Sequence, residues 1–190
     1  MTYGLAATVL CGLTVFWVVD WCYQQRPFYR AIRRGDRNTV EMSLSADVGA
    51  TKERSPMLGI TPLHVACDCE SGNVGIVTLL LQKGADPNAQ RESKLTPLQL
   101  ASFHGNADIV ELLIAHGANV NHRGWRHNDT ALQVAALHDH LDVVRLLLKH
   151  GADRNYRDMV NKTALDLAKE RGHTNVVALL SRTEVQTTDN

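Results

Sequence analysis

The sequence predicts an all-α fold, a solenoid of stacked helix-turn-helix units with β-hairpin-like fingers, preceded by a single hydrophobic helix. Three observations predict it. A TPL-type motif returns every 33 to 35 residues, a second motif of LLL..GAD.N type is locked in phase with it, and a long uncharged stretch is confined to the N-terminus.

The N-terminal element comes first. No charged side chain occurs before Asp20, and residues 3–19 (YGLAATVLCGLTVFWVV) are almost wholly apolar or small. As a helix they measure about 25 Å, and extension to Tyr23 gives roughly 31 Å, close to the hydrocarbon thickness of a bilayer. Residues 1–25 therefore predict a single-pass membrane anchor, with membrane contact through residues 3–23. Trp17 and Trp21 lie at its C-terminal end, where amphipathic rings prefer the headgroup level. A cleaved signal peptide would need a basic residue ahead of the run, and a helix buried in protein would show a polar face; this segment has neither.

Arg26, Arg30, Arg33, Arg34 and Arg37 all follow the apolar run, and no Lys or Arg precedes it. Positive charge stays on the cytoplasmic side, so the rest of the chain is expected to face the cytosol, with these arginines at the membrane surface. Cys22 at the membrane edge is a candidate acylation site. Gly4, Thr8 and Gly12 place small residues on one helix face, a geometry that permits weak self-association.

The remainder is repetitive. GITPLHVA at 59–66 returns as KLTPLQLA at 94–101, NDTALQVA at 128–135 and NKTALDLA at 161–168. Thr in each copy is an N-cap residue, and Pro62 and Pro97 occupy the first helical position, where the missing N–H costs nothing. The inner face of each first helix is Leu63 and Ala66, Leu98 and Ala101, Leu132 and Ala135, or Leu165 and Ala168. A second helix follows with paired apolar residues such as Ile76, Val77, Leu79 and Leu80. Gly84, Gly117 and Gly151 then supply the positive φ of a C-cap. No unit can bury its apolar stripe alone, so stability requires stacked neighbours.

Both motifs, TPLH and LLL..GAD.N, resemble the ankyrin repeat, and the resemblance covers about residues 28–182. It implies a protein-interaction solenoid spanning residues 26–182, in units of about 28–58, 59–93, 94–127, 128–160 and 161–182. The first unit is degenerate, its finger at residues 46–60 is long, and residues 183–190 read as a disordered tail.

Charge and motifs exclude several activities. Twenty basic side chains balance twenty acidic ones, which leaves no basic surplus for nucleic acid. Four cysteines without a spacing framework fit a reducing compartment, and no cofactor or metal is expected. Cys67 and Cys69 fall in a lengthened inter-helix turn, and the nine histidines read as surface residues. No phosphate loop, H-E-x-x-H or nucleophile elbow is present, so the chain is not expected to be an enzyme. Asn128 and Asn161 begin glycosylation sequons, although the cytosolic orientation and the capping role of each Thr argue against their use.

Solenoids of this kind bind along a concave face made of first helices and fingers, and exposed residues that depart from polar filler mark the site. Seven of the ten aromatic residues lie within the first 29 positions; the other three are Phe103, Trp125 and Tyr156. Phe103-His104 and Leu137-His138 occupy corresponding first-helix positions in neighbouring units, which places Phe103 beside Leu137. The loop after Asn121 is one residue longer than its counterparts and carries Arg123, Trp125 and Arg126 next to Tyr156. Trp, Tyr and Arg dominate binding hot spots. These eight residues are the expected contacts of a protein partner. The expected function is a membrane-tethered adaptor; the alternative is a soluble ankyrin-type inhibitor or regulatory subunit whose hydrophobic helix docks into its partner.

Overall fold

The computed structural model describes residues 26–69 and 73–181. Among them ten α-helices follow in five consecutive pairs: α1 (Pro27–Arg34) with α2 (Arg37–Ala46), α3 (Pro62–Cys67) with α4 (Val74–Gln82), α5 (Pro97–His104) with α6 (Ala107–Ala115), α7 (Ala131–Leu137) with α8 (Leu141–Lys149), and α9 (Ala164–Arg171) with α10 (Thr174–Ser181). First helices pack on first helices and second helices on second helices, so the stack is linear.

Each first helix of the last four units opens with a complete capping box. Thr61, Thr96, Thr130 and Thr163 accept from the backbone N–H three residues on, and the side chains of His64, Gln99, Gln133 and Asp166 reach back to the Thr N–H. Leu63, Leu98 and Leu132 are buried with the small residues Ala66, Ala101 and Ala135, and Ile76, Val77, Ile109, Val110, Val143 and Val144 close the core from the second helices. Gly84, Gly117 and Gly151 follow the second helices with φ of 85°, 88° and 81°. The local grammar of the repeat is therefore realised residue by residue.

Three ladders of cross-unit hydrogen bonds fix the stacking. The capping residue of one unit ties the next finger: His64 Nε2 donates to the Leu95 carbonyl at 3.1 Å, Gln99 Nε2 to the Asp129 carbonyl at 2.6 Å, and Gln133 Nε2 to the Lys162 carbonyl at 2.8 Å. The inter-helix turn ties the preceding first helix through Asn106 to the Cys69 carbonyl, His140 to the Phe103 carbonyl and His173 to the Leu137 carbonyl. Finger asparagines supply the third: Asn88 bonds to Gly117 and Asn119, and Asn121 to Gly151 and Asp153.

Several expectations need correcting. Among the described residues no strand forms; the fingers are turns, and a single isolated bridge, Gly124 with Asp129, is the only β feature. The long first finger contains a 3-10 turn, Val48–Lys52, which no periodicity announced. His64 is fully buried rather than a surface residue, and His140 and His173 are half-buried bridges between units. Cys67 is not in the turn: it ends α3 in the core, and burial raises its thiol pKa. No described helix is long and apolar enough to cross a membrane. The expected hydrophobic helix, Trp17, Trp21, Cys22, the Gly4, Thr8 and Gly12 face, and the tail at 183–190 lie outside the described residues.

Candidate protein-binding face

The finger before α7 holds one residue more than the finger before α5. Arg91 N–H donates to the Leu95 carbonyl in the shorter one, and Gly124 N–H to the Asp129 carbonyl in the longer. The extra residue forces Trp125 to φ 64°, an αL conformation that costs a bulky side chain energy and persists only where the surroundings hold it. Trp125 N–H donates to the Ser93 carbonyl at 3.0 Å, and the Trp125 carbonyl accepts from Asn128 N–H at 2.7 Å. Gly124 is required beside it, since a Cβ there would overlap the Lys94 carbonyl.

Held this way, Trp125 meets Phe103 edge to face, with ring centroids 5.6 Å apart, and packs partly against the core. The Phe103 ring also meets His138 at 4.5 Å and His104 at 5.0 Å, both edge-on. The Arg126 guanidinium lies over the Trp125 ring at 4.6 Å. One finger and two first helices thus build a continuous ledge of Phe103, Trp125 and His138 capped by a cation. Edge-to-face rings and cation-π contacts each add on the order of 0.5–1 kcal/mol beyond burial.

The other expected contacts are distributed around this ledge. Arg123 covers the Tyr156 ring at 4.4 Å, forming a second aromatic-cation pair one finger along. The Tyr156 hydroxyl donates to the Asn128 carbonyl at 3.0 Å and accepts from the Asn128 side chain at 3.1 Å, which occupies the amide of that sequon. His104 is drawn to Asp68, 3.1 Å away, and Arg91 shares the same carboxylate. Leu137 lines a cavity together with Arg126. Phe103, Trp125, Leu137 and Tyr156 are half-buried, and only Arg123 and Arg126 of the eight are exposed. The aromatic residues are thus partly covered, Phe103 and Trp125 by each other, Phe103 also by His138, and Tyr156 by Arg123.

The His138 ring resists protonation. Burial, then the neighbouring His140 ring, lower its pKa, and its Nε2 is buried with no hydrogen-bond partner among the described residues. At the corresponding first-helix position the second and fifth units carry Asp68 and Glu170, whereas the third and fourth carry Phe103 and Leu137. The apolar ledge is thus restricted to the centre of the stack.

Sequence reasoning missed two buried carboxylates beside this face. Asp129 and Asp158 are 6% and 7% exposed and line the same cavity as Leu137. Burial, then the proximity of Asp158, raise the Asp129 pKa. A signal for Asp129 was present: it stands immediately before the capping Thr, where two earlier units carry Ile60 and Leu95.

A linear stack of helical pairs with a side-chain ledge defines a helical-repeat solenoid. The family described as ankyrin repeats (three copies) matches residues 28–124 and 124–189, and the chain belongs to it. Relatives include E3 ubiquitin-protein ligase XB3 of Oryza sativa subsp. japonica, 31% identical over half of this chain and 21% of its own length. Ankyrin repeat and SOCS box protein 11 of Mus musculus is 37% identical over 53% of this chain and 30% of its own length. NF-kappa-B inhibitor alpha of Homo sapiens is 38% identical over 52% and 32%. The chain therefore spans about a fifth to a third of the length of these curated relatives.

Proposed function

We propose that this chain is a non-catalytic adaptor that presents its middle repeats to a protein partner while residues 3–23 tether it to a membrane, with the repeats in the cytosol. The observation that carries the interaction half is the ledge of Phe103, Trp125 and His138. The backbone strain at Trp125 is spent on placing an aromatic ring where stacking alone does not need one. Arg123, Arg126 and Tyr156 flank it, His104 and Leu137 border it, and together they have the aromatic and arginine character of a hot spot. The tether is supported by the run of apolar residues and by Arg26, Arg30, Arg33, Arg34 and Arg37, all exposed on or beside α1 and α2. Arg26 also pairs with Glu53 at 3.2 Å. A soluble inhibitor is the alternative reading, and NF-kappa-B inhibitor alpha among the relatives favours it.

Proximity labelling from the C-terminus identifies the partner, whose affinity is then measured for Phe103→Ala, Trp125→Ala and, as a control among the exposed second-helix residues, Glu111→Ala. Loss with the first two alone supports the ledge; equal affinity in all three sinks it. Carbonate extraction tests the tether: protein in the pellet supports an integral anchor, and release into the supernatant supports the soluble reading.

A further inference from the structure

A cavity of about 290 Å³ opens beside the ledge, between the finger that precedes α7, the finger that precedes α9, and the helices α7 and α9 themselves. Val134, Leu137, Val160 and Leu167 give it apolar walls. Asp129 and Asp158 supply two nearly buried carboxylates. The Asp158 Oδ1 accepts from the N–H groups of Val160 and Lys162, each at 2.9 Å, which holds the side chain in place. Its Oδ2 is buried with no hydrogen-bond partner among the described residues. Neither carboxylate forms an ion pair among those residues, and the ammonium in the lining, that of Lys162, is committed to Glu170 at 2.7 Å.

Folding uses one oxygen of Asp158, whose Oδ1 closes the turn ahead of α9, but it does not ask for Asp129 or for the second oxygen of Asp158. A buried carboxylate without a cation is costly, and the position of Asp129 accepts Ile60 and Leu95 in other units. Cations are present, but Arg126 and Arg171 are exposed members of the lining. The cavity thus combines apolar walls, buried negative charge and exposed positive charge. The walls match the alkyl stem of a long basic side chain, the carboxylates match its cation, and the exposed arginines match carboxylates on either side of it.

We propose that this cavity takes a lysine or arginine side chain from the protein partner, inserted from a segment with acidic residues on both sides. The proposal rests on the reading that this face binds a protein, and it adds the chemistry by which the partner is recognised.

The test uses the full chain, isotopically labelled, titrated with the peptide acetyl-Glu-Lys-Glu-amide and with its norleucine counterpart, which keeps the stem and lacks the charge. Saturable shifts of the Val160 and Lys162 amides with the lysine peptide alone are expected. Asp158→Asn, which keeps the oxygen that accepts the two N–H groups, should weaken binding by about tenfold or more. Asp129→Leu, copied from the residue at 95, should abolish binding and raise the thermal midpoint by a few degrees, since a buried charge is exchanged for a packed side chain. Equal shifts with both peptides, or no saturable shift with either, overturn the proposal. So does an Asp129→Leu chain that melts earlier and still binds the peptide, which would make the carboxylates structural. Failure here leaves the ledge standing, because Phe103→Ala and Trp125→Ala test it against the intact partner.

Discussion

The finger before α5 and the finger before α7 share one frame and differ by one residue. Both are tied to the preceding first helix by a capping side chain, His64 for the first and Gln99 for the second. Both close on one backbone pair. The shorter finger ends in Lys94 and Leu95, with Leu95 buried in the core. The longer one turns Trp125 onto Phe103, needs Gly124 against the Lys94 carbonyl, and buries Asp129 instead of a leucine. The comparison separates what the stack demands from what it tolerates. The capping tie and the closing pair recur because every interface between units needs them; the extra residue and an acid immediately before the capping Thr do not recur, and they coincide with the ledge and the cavity.

Acid should break the finger before α5 and spare the finger before α7. Burial pushes the His64 pKa down to about 3, so the folded chain resists a proton that the unfolded chain accepts near 6.5. Stability is therefore intact above about pH 6.5 and is lost as pH falls toward 3, by at most about 1.4 kcal/mol per pH unit. Thr61 N–H donates to Nδ1, and protonation of that nitrogen removes the acceptor. By about pH 4.5 the loss reaches roughly 3 kcal/mol. Asp129, with its raised pKa, works in the opposite direction and softens the loss. Hydrogen exchange should show the Arg91 amide losing protection before the Gly124 amide, and His64→Gln, which copies Gln99, should remove the difference. Equal loss at both amides would mean that His64 does not govern its finger.

Gly124→Ala should break the finger before α7. The added methyl meets backbone rather than a yielding side chain, so a loss of about 2 to 3 kcal/mol in denaturant unfolding is expected. An unchanged midpoint would show that the finger shifts freely. Trp125→Ala should lower partner affinity by about 2 kcal/mol and stability by about 1 kcal/mol, the second figure reflecting its partial packing on the core. Calorimetry of folding and of binding on the same variant separates the two; a stability loss with unchanged affinity would make Trp125 a packing residue. The smallest effect sharpens the finger before α5. Lys94 has φ 59° where an earlier unit has Gly59 at 63°, so Lys94→Gly should gain about 0.5 to 1 kcal/mol. No gain in thermal midpoint would show that the αL residue there is not strained.

The repeat period, the capping threonines, the first-helix prolines and the terminal glycines were legible in the sequence, because each acts within a few residues of itself. A Thr three residues ahead of its helix partner caps wherever it stands, and Gly takes positive φ without help. Phe103, Trp125, Arg126 and Tyr156 were legible as departures from the pattern, but their contacts were not. Phe103 and His138 are brought together across two units, as are Arg123 and Tyr156. The burial of His64 and Asp129 was hidden for the same reason: one is sealed by the next finger, the other lies where two fingers meet. The sequence by itself determined the helices, their caps and their linear stacking, all governed by short-range backbone geometry. Only the tertiary structure decided which side chains share the ledge and which charges lose water, because both depend on how neighbouring units meet, and a single extra residue in one finger changes which side chains meet there.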